Sequence, residues 1–298
     1  MSAFEFAAPT RLGPALDLLS SCAESGRRTQ ILAGGTDVIV QMRTSDREPR
    51  LLLDVKRLPE TRQLSIGSED IFVGAAIPSA ELNENPRLAS LLPGLMESAD
   101  LIGSTQIQGR ASIGGNLCNA SPAGDTIPAL IANSAQCEIA GARGTRQVAA
   151  ADFVVGVGKS CLKRDELLLG FRVKRPSKGF GDAYLRFIPR TEMDIAVAGV
   201  AVSMELDEAG VCRDSRIAIG AVAERCLLVR RAGERLIGTS VEDSDLGKAG
   251  AECSASARPI SDKRGTAEYR RKIIAVLCRR AGRIAHGRAL ASLEGAEI

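Results

Sequence analysis

The spacing of apolar residues changes several times along the chain, and each change predicts an element. Phe4 and Phe6 before Pro9 read as a short strand and turn. Leu12, Ala15, Leu16, Leu18 and Leu19 crowd one side of a helix that runs to about Cys22 and is stopped by Gly26. Thr29 to Ala33 reads as a buried strand running into Gly34-Gly35, where Thr36 is placed to cap a helix reaching about Arg43. Leu51 to Val55 is the next strand. Helix, strand, Gly-Gly turn, helix and strand make a compact α/β unit.

From Gln63 the pattern shortens. Leu64 to Ile66 and Ile71 to Ile77 predict a hairpin around the polar turn Gly67 to Asp70. Helices are predicted from Ser79 to about Asn85, from Leu91 to Ile102, and from Thr126 to Asn133. Between the last two lies a glycine-rich stretch read as a loop. Cys137 to Ala140, Arg146 to Val148 and Leu167 to Val173 are strand candidates, with a glycine-interrupted loop from Phe153 to Cys161. Pro, Gly and charge cluster at Lys174 to Gly181, which sets a boundary. Beyond it, Tyr184 to Ile188, Ile195 to Met204 and Ser215 to Ala221 read as antiparallel strands. Glu224 to Leu236 and Tyr269 to Ala289 read as helices, and Thr239 to Arg264 is too weakly patterned to assign. The last third is thus strands followed by helices, an α+β module.

Length agrees with more than one domain, since 298 residues exceed the usual single-domain size. The apolar fraction of 45% supports real cores, but 3% aromatics leaves Leu, Val, Ile and Ala to fill them. Few aromatics and a net charge of +3 argue against a stacking platform for nucleic acid. Basic residues do gather from Lys263 to Arg288, yet Ile273, Ile274, Val276, Leu277, Ala281 and Ile284 occupy another face, which suits a helix docked on its own domain. None of the eight cysteines forms a CxxC pair, and His286 is the single histidine, so zinc and iron–sulfur ligation are disfavoured and no metal site is expected. No apolar stretch approaches the ~20 residues that cross a bilayer. The N-terminus lacks a basic start, a long apolar run and a cleavage site, so a cytosolic protein with reduced thiols is expected.

Two stretches carry chemistry that a packed core does not need. In Leu32 to Asp37 a strand ends in two glycines and opens a helix, so successive backbone N–H groups face outward and an anion can approach them. The same residues would also serve an ordinary tight turn. They fit neither GxxxxGK[ST] nor GxGxxG, which disfavours a P-loop and a Rossmann nicotinamide site. Ser112-Ile113-Gly114-Gly115-Asn116 repeats the chemistry, with Ser121 and Asp125 close downstream. Asp125 is placed to cap the helix that follows. A carboxylate accepts from hydroxyls and repels phosphate, so it also suits ribose or ribitol beside a diphosphate. Two such sites favour one large ligand with a diphosphate in its middle. No catalytic triad or general base is expected, because His286 would have to supply it. Cys118 has no neighbouring base or cation and reads as a small side chain.

AGGTD at Ala33 to Asp37, IGSTQIQGRASIGGNLCNASPAGDTIPAL at Ile102 to Leu130 and YLRFIPRTEMDIAVAGVAV at Tyr184 to Val202 together resemble the FAD-binding medium subunit of molybdenum hydroxylases, the group of xanthine dehydrogenase and aerobic carbon monoxide dehydrogenase. EYRRKIIAVLCRRA resembles the closing helix of that group, so the resemblance covers nearly the whole chain. It implies an α+β protein. A PCMH-type, vanillyl-alcohol-oxidase-like FAD-binding domain at 1–176 would comprise two α/β subdomains, about 1–57 and 58–176. A C-terminal α+β domain of the carbon monoxide dehydrogenase flavoprotein type would span 177–298.

Carried over, Ile31, Leu32, Ala33, Gly34, Gly35, Thr36, Asp37 and Val38 would wrap part of the pyrophosphate and adenosine. Ser112, Gly114, Gly115 and Asn116 would hold the remaining diphosphate and the ribityl region, and Asp125 would bind hydroxyls. The strand at Leu168 would lie against the flavin. Arg186 stands where many relatives have a cofactor-facing lysine, Ser112 where threonine is common, and Gln108-Gly109 where Arg-Asn is common. The implied job is electron transfer through FAD. The implied partners are an iron–sulfur small subunit with two [2Fe–2S] clusters and a molybdopterin large subunit, assembled as a dimer of heterotrimers. Two other functions fit the same fold: a stand-alone FAD oxidoreductase, and a non-enzymatic nucleotide-binding or assembly protein.

Overall fold

A computed structural model describes residues 4–44, 51–190 and 193–295. The first unit begins with β1 (Glu5–Ala7) and α1 (Leu12–Glu24), which buries Ala15, Leu19 and Cys22 at the four- and three-residue spacing of one helix face. It continues through β2 (Thr29–Leu32), α2 (Val38–Thr44) and β3 (Leu51–Asp54). The strands pair in parallel in the order β1-β3-β2. A helix makes each crossover, as parallel pairing requires.

The second unit opens with α3 (Pro59–Arg62) and the expected hairpin, β4 (Leu64–Ile66) and β5 (Asp70–Gly74). Six short helices follow: α4 (Ser79–Asn83), α5 (Pro86–Leu91), α6 (Pro93–Asp100), α7 (Thr105–Gln108), α8 (Ile113–Asn119) and α9 (Thr126–Ala132). Then come β6 (Gln136–Gly141), β7 (Gly144–Ala149), α10 (Ala150–Phe153), β8 (Val154–Gly156), β9 (Lys159–Ser160) and β10 (Glu166–Lys174). The sheet is antiparallel in the order β4-β5-β10-β6-β7, and buried β10 is its centre. A bulge interrupts β10 between Leu168 and Gly170. Bulges locally bend a strand and often sit beside sites.

The last unit packs three helices on an antiparallel sheet of β11 (Phe180–Phe187), β12 (Ala198–Leu206), β13 (Cys212–Gly220) and β14 (Leu227–Leu228). The helices are α11 (Arg230–Glu234), α12 (Asp243–Ser256) and α13 (Ala267–Glu294). Along α13, Arg270, Ile274, Leu277, Cys278, Ala281, Ala285 and Ala289 form the buried face, so the basic helix docks on its own sheet. It lies close enough that a Cβ on Gly181 would come within 2.2 Å of the Ala285 carbonyl. Buried Arg270 donates to the Val197 and Ala221 carbonyls and pairs with Asp262 at 2.7 Å.

Four sequence expectations change. The stretch read as a loop before Thr126 contains α8. The loop expected from Phe153 to Cys161 holds the β8–β9 hairpin. Glu224 to Leu236 is helical only at α11, because Leu227-Leu228 pairs with Ala218-Ile219 instead. The unassigned segment contains α12, whose buried face of Leu246, Ala249, Gly250 and Cys253 has one large apolar side chain and so little periodic signal. Gly250 there lets α12 approach the Ala275 carbonyl, which a Cβ would meet at 2.8 Å.

Candidate functional site

A cleft of about 710 Å³ separates the first two units. One wall is the end of β2, the Gly34-Gly35 turn and the start of α2, from Arg28 through Val38 to Met42. The opposite wall is Ala75-Ala76 after β5, the Ala111–Asn119 segment around α8, the turn at Gly158 and Ser160, and the start of β10 from Glu166 to Leu168. Both Gly-Gly stretches therefore face one space.

The glycines divide their labour. A Cβ on Gly34 would stand 1.9 Å from the Arg110 carbonyl oxygen, and one on Gly114 would stand 2.3 Å from that of Ala75. The first glycine of each pair thus lets two backbones touch, which sets the width of the cleft. Gly35 adopts φ +82°, a conformation that L side chains rarely take. At Gly115 a Cβ would meet only the Ser112 Oγ, at 3.2 Å, so its wall is left open.

Polar side chains finish the walls. Ser112 caps α8, its Oγ accepting from the Gly115 N–H at 3.1 Å. The segment is fixed to the second unit by the Ser79 N–H, which donates to the Ala111 carbonyl at 2.8 Å. Asn116 Oδ1 accepts from the Thr126 N–H at 3.3 Å and from its Oγ1 at 2.8 Å. Asn116 therefore caps α9 in place of Asp125, whose side chain makes no capping bond. With Oδ1 committed, the amide N–H groups are what Asn116 offers the cleft. Gln41 Nε2 donates to Asn119 Oδ1 at 2.9 Å and ties the two walls together. Thr29 Oγ1 is buried on the wall without a hydrogen-bond partner. Desolvation raises the Asp37 carboxyl above its usual range.

Of the residues singled out from sequence, Ile31, Ala33, Gly34, Gly35, Thr36, Asp37, Val38, Ser112, Gly114, Gly115, Asn116 and Leu168 line the cleft. Leu32, Asp125 and Arg186 are not in its wall. Asp125 is taken up by the last unit: Tyr184 Oη donates to Oδ1 at 2.9 Å and Arg186 Nη1 donates to Oδ2 at 2.8 Å. Burial pushes its carboxyl up to about 6, while Arg186 and Tyr184 pull it down. The Arg186 side chain is 6% exposed, and its Nε–H is buried without a partner.

Arg28, Thr29, Gln41, Ala75, Gly158, Ser160 and Glu166 line the cleft without having been foreseen. Gly158, at φ +64° in the GVGKS turn, was the one detectable signal. Glu166 is a support. Arg146 grips it through two bonds of 2.8 and 2.7 Å, the Lys163 N–H donates to it at 2.8 Å, and these contacts hold its carboxyl down at about 2. The bulge that follows turns the Leu169 carbonyl to accept from the Ala75 N–H at 2.8 Å, which joins the two strands that floor the cleft.

Residues 2–176 match the FAD binding domain in molybdopterin dehydrogenase, and residues 183–285 match the carbon monoxide dehydrogenase flavoprotein C-terminal domain. The carbon monoxide dehydrogenase medium chain of Afipia carboxidovorans is 34% identical over 96% of this chain and 98% of its own length. The nicotinate dehydrogenase FAD-subunit of Eubacterium barkeri is 30% identical over 80% of this chain and 81% of its own. In three dimensions, a chain of the carbon monoxide dehydrogenase from Hydrogenophaga pseudoflava superposes with a TM-score of 0.90 at 30% identity, covering 96% of this chain and 98% of that one. Sequence, fold and a cleft walled by two glycine pairs agree: the chain belongs to the FAD-binding medium-subunit family of the molybdenum hydroxylases.

Proposed function

We propose that this chain is the flavin-bearing electron-transfer subunit of a multi-subunit molybdenum hydroxylase, taking electrons from [2Fe–2S] clusters of a partner subunit and delivering them to an external acceptor. The observation that carries the reading is the cleft, whose opposite walls are two Gly-Gly segments. Its volume of about 710 Å³ falls within the roughly 300–1,000 Å³ of cofactor-sized sites.

The residues present fit FAD. Gly34-Gly35 and Gly114-Gly115 bring backbone free of Cβ atoms to the cleft from two sides, which suits close approach of a diphosphate. The Asn116 amide supplies directional polar contact for the hydroxyls of the ligand. Ile31, Ile102, Leu162 and Leu168 give apolar contact along the same wall. When bound, FAD supplies the redox chemistry, and the protein sets its position and electrostatics. The family's partners, an iron–sulfur small subunit and a molybdopterin large subunit, are proposed for this chain too. Relatives named as a medium chain and an FAD-subunit support this, and so do exposed apolar side chains flanking the cleft. Ile39 and Val40 on α2, with Val155 and Val157 on the β8–β9 hairpin, are all exposed. Exposed apolar side chains on both sides of the cleft suit a protein interface.

The purified protein should carry or take up one FAD per chain, visible as flavin absorption. It should also co-purify from its source with an iron–sulfur and a molybdopterin subunit. A colourless protein that takes up no FAD would refute the cofactor assignment, and a flavoprotein isolated alone would refute the assembly.

A further inference from the structure

The Asp125 carboxylate joins two domains. Asp125 precedes α9 on the cofactor side, yet both of its oxygens are held by β11: Tyr184 Oη–H at 2.9 Å and Arg186 Nη1 at 2.8 Å. The tyrosine is 2% exposed. Its place is reserved by Gly199 on the neighbouring strand, where a Cβ would lie 2.7 Å from the phenol oxygen. On the other side of the joint, Thr126 donates twice to Asn116 Oδ1. The turn presses on that same oxygen, because a Cβ on Gly124 would come within 2.9 Å of it. Asn116 lines the cleft. An unbroken series of short contacts therefore runs from the last unit to the cofactor wall.

We propose that Tyr184 is a positioning residue for cofactor binding: its hydroxyl fixes the Asp125 carboxylate, and through the adjoining Thr126 that contact orients the Asn116 amide in the cleft. The inference rests on the FAD reading above. It makes docking of the C-terminal unit and retention of the cofactor two views of one equilibrium. The groups that face Asp125 are Tyr184 and Arg186 from β11 and the Cys226 thiol from the turn before β14. Of these, Tyr184 and Arg186 favour the ionised carboxylate.

The test is FAD affinity, followed by fluorescence quenching from pH 5 to 8, for the full-length wild type, Tyr184→Phe, Asn116→Ala and the double variant. Wild-type affinity should be full at pH 8 and fall as pH drops through the Asp125 pKa. Tyr184→Phe removes a donor to the charged form, so its midpoint should move to higher pH, and its affinity at neutral pH should fall about fivefold to tenfold. A loss of mere packing would lower the melting temperature and leave the midpoint in place. The double variant should lose no more affinity than Asn116→Ala alone, whereas additive losses would overturn the route through Asn116. Wild type that binds FAD beside a Tyr184→Phe variant with the same affinity and midpoint overturns the coupling alone. Wild type that binds no FAD overturns the cofactor reading and this inference with it.

Discussion

The cofactor cleft and the joint between the last two units meet at adjoining residues, Thr126 and Asp125, and treat polar groups in opposite ways. At the joint most donors and acceptors are consumed inside the protein. Asp182 accepts from the Gly94 N–H at 2.8 Å, the Leu95 N–H at 3.2 Å and Asn133 Nδ2 at 2.9 Å. Glu97 takes the Tyr184 N–H and Arg288, and Ser203 donates to the Ala132 carbonyl. In the cleft, Asn116 lines open space with its Oδ1 already committed, and the wall beside it is left bare at Gly115. A buried polar group without a partner costs about 1–3 kcal/mol, so the two regions differ in what completes them. The joint is completed mostly by protein, with Arg186 Nε and Asn133 Oδ1 left without a partner. The cleft is completed by a ligand.

Breaking the joint should have the largest effect. Asp182→Ala leaves three buried donors unmatched and should destabilise the protein by about 3–5 kcal/mol, read as a lower melting temperature. The chain that remains folded should still bind FAD one to one. The pH dependence has a definite sign. Burial raises the Asp182 carboxyl from 3.8 to about 6 in the folded protein. Its contribution to stability is therefore fully present below about pH 4 and is lost as pH rises through 6. Wild type should gain stability relative to Asp182→Asn on acidification across that window, and parallel melting curves would refute the assignment.

Next in size is the contrast between the two kinds of glycine. Gly34→Ala forces a Cβ against the Arg110 carbonyl and should cost about 3 kcal/mol of stability, with FAD binding lost as the walls part. Gly115→Ala meets no backbone, so its melting temperature should stay within a few degrees of wild type. The methyl group narrows the cleft and should weaken FAD binding about tenfold, or about 1.4 kcal/mol. If both variants behave alike, the division of labour within the pairs is wrong. The smallest effect sharpens the cleft itself. Thr29→Val deletes a buried hydroxyl that has no partner, so the protein should lose no stability and should bind FAD as tightly as wild type.

Much of the cleft was legible because its chemistry lies in short contiguous runs. Gly34-Gly35 and Ser112 to Asn116 stand out through a density of glycine and small polar residues that a core does not use. The strands β5, β10 and β12 were legible through their apolar runs. What escaped depended on tertiary placement. Arg28, Ala75 and Ser160 reach the cleft only because the sheets bring them there, and nothing local marks them. Asp125 could be singled out, but not its partners, since Tyr184 lies 59 positions away. Helix α12 escaped because, beside the single Leu246, its buried face is built from Ala, Gly and Cys, which fit a close helix contact without an apolar stripe. The short α8 escaped because Gly114-Gly115 lowers helix propensity. Ser112 caps it from outside and tertiary packing holds it.

The central claim is that one FAD is held between both glycine walls. Amide hydrogen exchange on the full-length protein with and without FAD tests it directly. The account predicts protection on both sides at once, at residues 33–38 and 112–119. Protection of one wall alone, or of neither, would contradict it.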